Sequence, residues 1–144
     1  MKRSASPGTA AIEFALAMPF LLVLVLGVVE LGYSTYQAMR VADAAEAGAV
    51  YASKYGFDAA GIEAAVTGAT GPAATITSPA PFQFCGCPGS AGVTTVDCST
   101  TCTDGSTPGV YIQVNASMTR ESILPYPDLG LPTTLTAQST VRVN

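Results

Sequence analysis

From Phe14 to Val29 every position is apolar: no side chain there bears a charge or a hydrogen-bonding group. With the small residues on either side, the run is long enough as a helix to cross a hydrocarbon layer of ~30 Å at ~1.5 Å per residue. Backbone polar groups in lipid must be satisfied within the segment, so a helix is predicted. Pro19 is expected to kink it, freeing a carbonyl that the bilayer or a partner helix must cover. A carboxylate stands at each margin, Glu13 and Glu30. At the bilayer centre a carboxylate costs about 2.5–3.5 kcal/mol, so Glu13 asks for a reason. Glu30 marks the outer boundary, and the pattern assigns it no role.

Beyond the apolar run the periodicity changes. Leu31, Ser34, Ala38, Ala42, Ala45, Ala49 and Ala52 recur at steps of three and four, a narrow seam of mostly small residues. Arg40, Asp43, Glu46 and Lys54 fall on the other side. The helix is therefore predicted to continue past the membrane and to pack the seam on the chain's own sheet, or else on another helix. Gly56 ends it as a C′ glycine. Asp58 is placed to cap a second helix to about Thr67, with Ile62, Ala65 and Val66 on its apolar side. Ala74 to Ser78 reads as a short strand, with Phe82-Gln83-Phe84 as a second piece beyond Pro79 and Pro81. Val110, Ile112, Val114, Ala116 and Met118 alternate with Tyr111, Gln113, Asn115, Ser117 and Thr119, the clearest strand in the chain. Leu135, Ala137, Val141 and Val143 repeat the alternation near the C-terminus. A proline-stiffened apolar connection, from Ile123 to Pro132, joins the two. The predicted fold is α+β: a long helix and a short one on one face of a small antiparallel sheet.

Composition and charge narrow the setting. Charged residues are 11% of the chain and hydrophobic ones 49%, with a mean hydropathy of +0.39. Soluble domains average about 25% charged, so the balance favours a membrane or envelope protein. The net charge is −4, and the six Lys and Arg are scattered, which argues against nucleic acid as a partner. There is no His, hence neither the commonest general base nor the commonest metal ligand. Lys2 and Arg3 precede the apolar run and only Arg40 follows closely, so the positive-inside rule places the N-terminus in the cytoplasm. A cleaved secretory signal is disfavoured. The run exceeds a typical h-region, and Glu30-Leu31-Gly32 stands where a small-x-small site would be needed.

Gly8-Thr9-Ala10-Ala11-Ile12-Glu13-Phe14 resembles the processing site of type IV pilin-like precursors. The wording Ala-Ala-Ile-Glu-Phe-Ala-Leu-Ala-Met-Pro-Phe-Leu-Leu, followed by Gly-Val-Val-Glu-Leu-Gly, resembles the TadE-like family, pseudopilins of the bacterial tight-adherence (Flp) pilus machinery. The resemblance is strongest from Gly8 to Ala52. It returns in the C-terminal strand-loop-strand and is loose between. It implies a pilin-like fold and cleavage by a prepilin peptidase after Gly8, with Thr9 becoming the first residue. It divides the chain into a leader at 1–8, a transmembrane segment at 9–32 and an extracytoplasmic domain at 33–144. Glu13, four residues from the new amine, would then pair with an N-terminus, its own or a neighbouring subunit's. The plainer reading of Glu13 is a carboxylate in the first helical turn, favoured by the macrodipole. Other pilins and pseudopilins, the inner-membrane assembly platform and the lipid bilayer are the implied partners.

The four cysteines, Cys85, Cys87, Cys98 and Cys102, fit disulfides outside the cytoplasm. Their spacing suits zinc knuckles poorly, and Asp97 and Asp104 lack the spaced acidic loop of a calcium site. Cys85 and Cys87 are too close to bridge each other. Two pairings stay open: the nested Cys85–Cys102 with Cys87–Cys98, preferred for a hairpin-like loop, and the crossed alternative. No nucleophile motif, paired carboxylates, glycine-rich phosphate cradle or cofactor site is recognisable, which points away from an enzyme. Two functions are expected to compete. One is a processed assembly subunit or priming factor of an adhesive pilus, held in the inner membrane or in the pilus. The other is an unprocessed, single-pass, membrane-anchored binding module.

Overall fold

A computed structural model describes residues 7–69, 76–77, 79–123 and 132–143. The expectations for Ala74, Thr75, Ser78, the leader residues before Pro7 and most of the Ile123–Pro132 connection lie outside them.

One helix, α1 (Pro7–Tyr55), takes up the N-terminal third of the chain and runs unbroken through Pro19. Proline is tolerated at its first position because that N–H would have no helical partner. Gly56, at φ +79°, closes it with its amide on the Ala52 carbonyl at 2.9 Å. Helix α2 (Ala59–Gly68) follows. Asp58 occupies the predicted N-cap position in extended backbone, but its carboxylate makes no cap hydrogen bond. It instead accepts from the Tyr51 hydroxyl at 3.1 Å, which ties α2 to α1 and pushes the Tyr51 phenol above its usual pKa.

Among the described residues five antiparallel strands follow: β1 (Ile76–Thr77), β2 (Phe82–Gly89), β3 (Gly92–Thr95), β4 (Gly109–Thr119) and β5 (Thr134–Val143). The sheet is four positions wide. β1 and β2 are two pieces along one edge of β4, separated around Pro79 and Pro81, while β5 takes the other edge. β3 pairs with β2 through a two-residue turn between Gly89 and Gly92. The fold is α+β, as the pattern predicts.

The core lies between the sheet's inner face and the two helices. Val41, Ala44, Ala45, Ala49 and Ala52 of α1 meet Ile62 and Val66 of α2 and Ile112, Val114, Ala116 and Met118 of β4. Burying one such Val or Ile contributes roughly 1.5–3 kcal/mol. Two expectations change. Tyr111, assigned to the wet face of β4, is buried there because Phe84 stacks on it with ring centres 5.8 Å apart. The seam on α1 is rotated in its first half: Leu31, Ala38 and Ala42 are exposed, whereas Glu30, Gln37, Val41 and Ala44 are buried.

Gly48 sits where α1, α2 and β4 converge. A Cβ there would lie 2.6 Å from Val66 Cγ2 and 2.7 Å from Val114 Cγ1. Gly48→Val should cost about 1–3 kcal/mol by overpacking. Gly68→Ala, which meets no atom within 4 Å, is the control, and thermal unfolding of the full chain in detergent is the measurement.

Candidate membrane-anchoring and assembly site

The first half of α1 stands clear of the rest of the protein. Ile12, Phe14, Leu16, Phe20, Leu22, Val25 and Val28 are all exposed, Phe20 to 79%. Lone exposed apolar residues are ordinary, but a continuous helical surface of them demands lipid or another apolar helix. This helix is compatible with a single-pass membrane anchor. Gly8, Thr9 and Glu13 lie at its N-terminal end, all exposed. Because the helix starts at Pro7, Glu13 falls beyond the first turn, where the macrodipole has faded, so that reading of it is not supported.

The helix meets the domain first through polar groups. Glu30 is 2% exposed and forms an ion pair with Arg120, Oε1 to Nη1 3.0 Å. The same oxygen accepts from the Ser122 hydroxyl at 2.7 Å, and Oε2 accepts from the Ile123 amide at 3.2 Å. Two turns further along, Gln37 is equally buried. Its Nε2 donates to the Glu121 carbonyl at 2.7 Å and its Oε1 accepts from the Glu121 amide at 3.0 Å. Arg120 also gathers the far side of the β4–β5 connection: its Nε donates to the Pro132 carbonyl and its amide to the carbonyl of Thr133. Two side chains at (i, i+7) on α1 thus clamp residues 120–123. A seven-residue spacing places both on one face. Sequence reasoning missed this clamp, although the same-face spacing of two polar residues on a helix was a usable signal.

The clamp also orients the domain. Gln37 holds the Glu121 amide and Glu30 the Ile123 amide, so the chain leaving β4 descends toward the apolar half of α1. The opposite end of the sheet, where Gly86 pairs with Gly109, carries the cystines. The four cysteines form Cys85–Cys98 and Cys87–Cys102, the crossed arrangement, which overturns the nested preference. The hairpin register explains it. Cys87 faces Thr94, and the Val96 amide reaches the Cys85 carbonyl, so Cys98 emerges beside Cys85 and away from Cys87. A turn at Cys102–Ser106 brings Cys102 to Cys87. Asp104, weighed as a calcium ligand, accepts from the Ser106 hydroxyl and amide, and those bonds hold its carboxyl below the usual range.

Residues 8–50 match a family model, that of TadE-like protein. The resemblance read from the sequence is borne out over that segment, and it links the chain to tight-adherence pilus systems. The TadE-like segment starts at Gly8, spans the exposed apolar surface and includes Glu30 and Gln37; their partners at 120–123 lie outside it. No curated protein and no solved structure matches the chain.

Proposed function

We propose that this chain is a minor pseudopilin or an assembly and priming factor of a tight-adherence pilus, with a structural and not a catalytic role. The observation that carries the proposal is the TadE-like match at 8–50, which takes in the whole part of α1 whose apolar surface the protein leaves uncovered. In this reading residues 9–32 cross the inner membrane with the N-terminus cytoplasmic, and 33–144 form the domain outside. A prepilin peptidase cuts after Gly8. That bond lies in the first turn of α1, and helix ends fray. Glu13 then meets the freed amine of Thr9, or that of a neighbouring pilin-like subunit, as the chain is handed from the bilayer to the assembly platform.

Mass spectrometry of the native protein is expected to find Thr9 as the first residue. An intact Met1 would support the unprocessed, membrane-anchored binding module instead, and a start beyond Val29 would remove the assembly reading. Gly8→Ala should abolish trimming and leave membrane insertion unchanged. A methyl group at Gly8 meets no atom within 4 Å, so this variant tests recognition and not folding.

A further inference from the structure

We propose that the domain makes a second contact with the membrane, resting its lower end on the bilayer surface at Ile123 beside the exit of α1. The inference rests on the reading of α1 as a membrane-spanning helix. Glu30 directly follows the last residue of the uninterrupted apolar run, Val29, and so marks the outer edge of the hydrocarbon layer. Its Oε2 holds the Ile123 amide at 3.2 Å, which puts Ile123 within about one helical turn of that edge. The polar headgroup zone on each side of a bilayer is roughly 5–8 Å deep, enough to include this level.

Three features favour lipid as the occupant. Ile123 is 53% exposed although it is apolar and follows the buried clamp directly. It continues the belt that Val28, Val29 and Leu31, all exposed, present at the same height on α1. The chain outside the described residues also begins and ends here. It leaves at Leu124 after the Glu30-bound amide and returns at Pro132, whose carbonyl accepts from Arg120. Those eight residues read Leu-Pro-Tyr-Pro-Asp-Leu-Gly-Leu, with a single charge. Glu121, two residues back along the chain, is exposed, and its amide is held by Gln37. Two residues of chain span at most about 7 Å, which keeps it within the polar headgroup zone and clear of the hydrocarbon.

The protein contains no tryptophan, so a single introduced one reports on its own position. Ile123→Trp, Leu22→Trp and Tyr55→Trp would each be made in the full chain and reconstituted into phosphatidylcholine vesicles. The lipid would be brominated either near the headgroup or near the chain ends. Tyr55 lies 25 residues beyond Glu30, about 38 Å along the helix, and serves as the remote control. Ile123→Trp should lose emission with headgroup-proximal bromines several-fold more than Tyr55→Trp does, and more than it loses with bromines at the chain ends. Leu22→Trp should respond most to the deep bromines. If Leu22→Trp is quenched while Ile123→Trp behaves like Tyr55→Trp, the surface contact is wrong and the membrane span stands. If Leu22→Trp escapes quenching, the span itself is wrong and this inference goes with it.

Discussion

Glu30→Ala is expected to loosen the domain from α1 at the end nearest the exposed apolar half and to be the most damaging single change along the helix. It removes one acceptor from each of the Arg120 guanidinium, the Ser122 hydroxyl and the Ile123 amide. A buried ion pair contributes little against an apolar substitute, but removing one partner leaves the other charge without compensation. Gln37→Ala supplies the scale. It deprives both the amide and the carbonyl of Glu121, which are part-buried, of their partner, for a loss of about 1–3 kcal/mol. Glu30→Ala should exceed that. Arg120→Ala added to Glu30→Ala should cost less than the sum of the two single changes, because the second removes a charge the first had already stranded. Denaturant unfolding in detergent measures the cycle. Hydrogen exchange should show the amides of 120–123 opening first, while the core amides of β4 at Ile112 and Val114 stay protected. Strictly additive losses would mean that Glu30 and Arg120 act independently.

Removing both disulfides is expected to melt the distal hairpin and spare the core. The bridges close loops with sequence separations of 13 and 15, each worth about 3 kcal/mol. None of the four cysteines belongs to the cluster formed by α1, α2 and β4. The segment they staple is rich in Gly, Ser and Thr and has little apolar surface to hold it otherwise. Replacing all four with serine should therefore make 88–106 the first site of proteolysis and lower overall stability by up to about 6 kcal/mol. Replacing only Cys87 and Cys102 should free the Cys102–Ser106 turn and leave the β2–β3 hairpin anchored through Cys85–Cys98. Global unfolding on reduction would show instead that the hairpin carries the whole sheet.

The elements that were legible in the chain were those with a clean period. The uninterrupted run after Phe14 announced a lipid-type helix, and the alternation from Val110 to Met118 announced β4. The prolines at 79 and 81 correctly split β1 from β2, because proline supplies no ladder donor. The β2–β3 hairpin was hidden. Cys-Gly-Cys-Pro-Gly-Ser-Ala-Gly has no alternation to read, and two of its side chains are used by disulfides, whose partners depend on register.

The division between the two levels of information is sharpest on α1. Apolar content, helical length and the glycine stop at Gly56 are local properties, so the residues alone specified a long helix with an apolar half compatible with a membrane and a packed half. Which face packs was a question of partners. Leu31, Ala38 and Ala42 mark a plausible seam, yet the buried stripe runs through Glu30 and Gln37, which are costly to bury without partners. Those partners, Arg120 through Ile123, lie some ninety residues away in sequence and arrive only when β4 packs on the helix. The crossed cystines follow the same rule, since the offset between β2 and β3 sets which sulfurs can meet. Hydrophobicity and backbone preference are written residue by residue; the satisfaction of a buried charge or thiol needs a second segment, and only the folded chain supplies it.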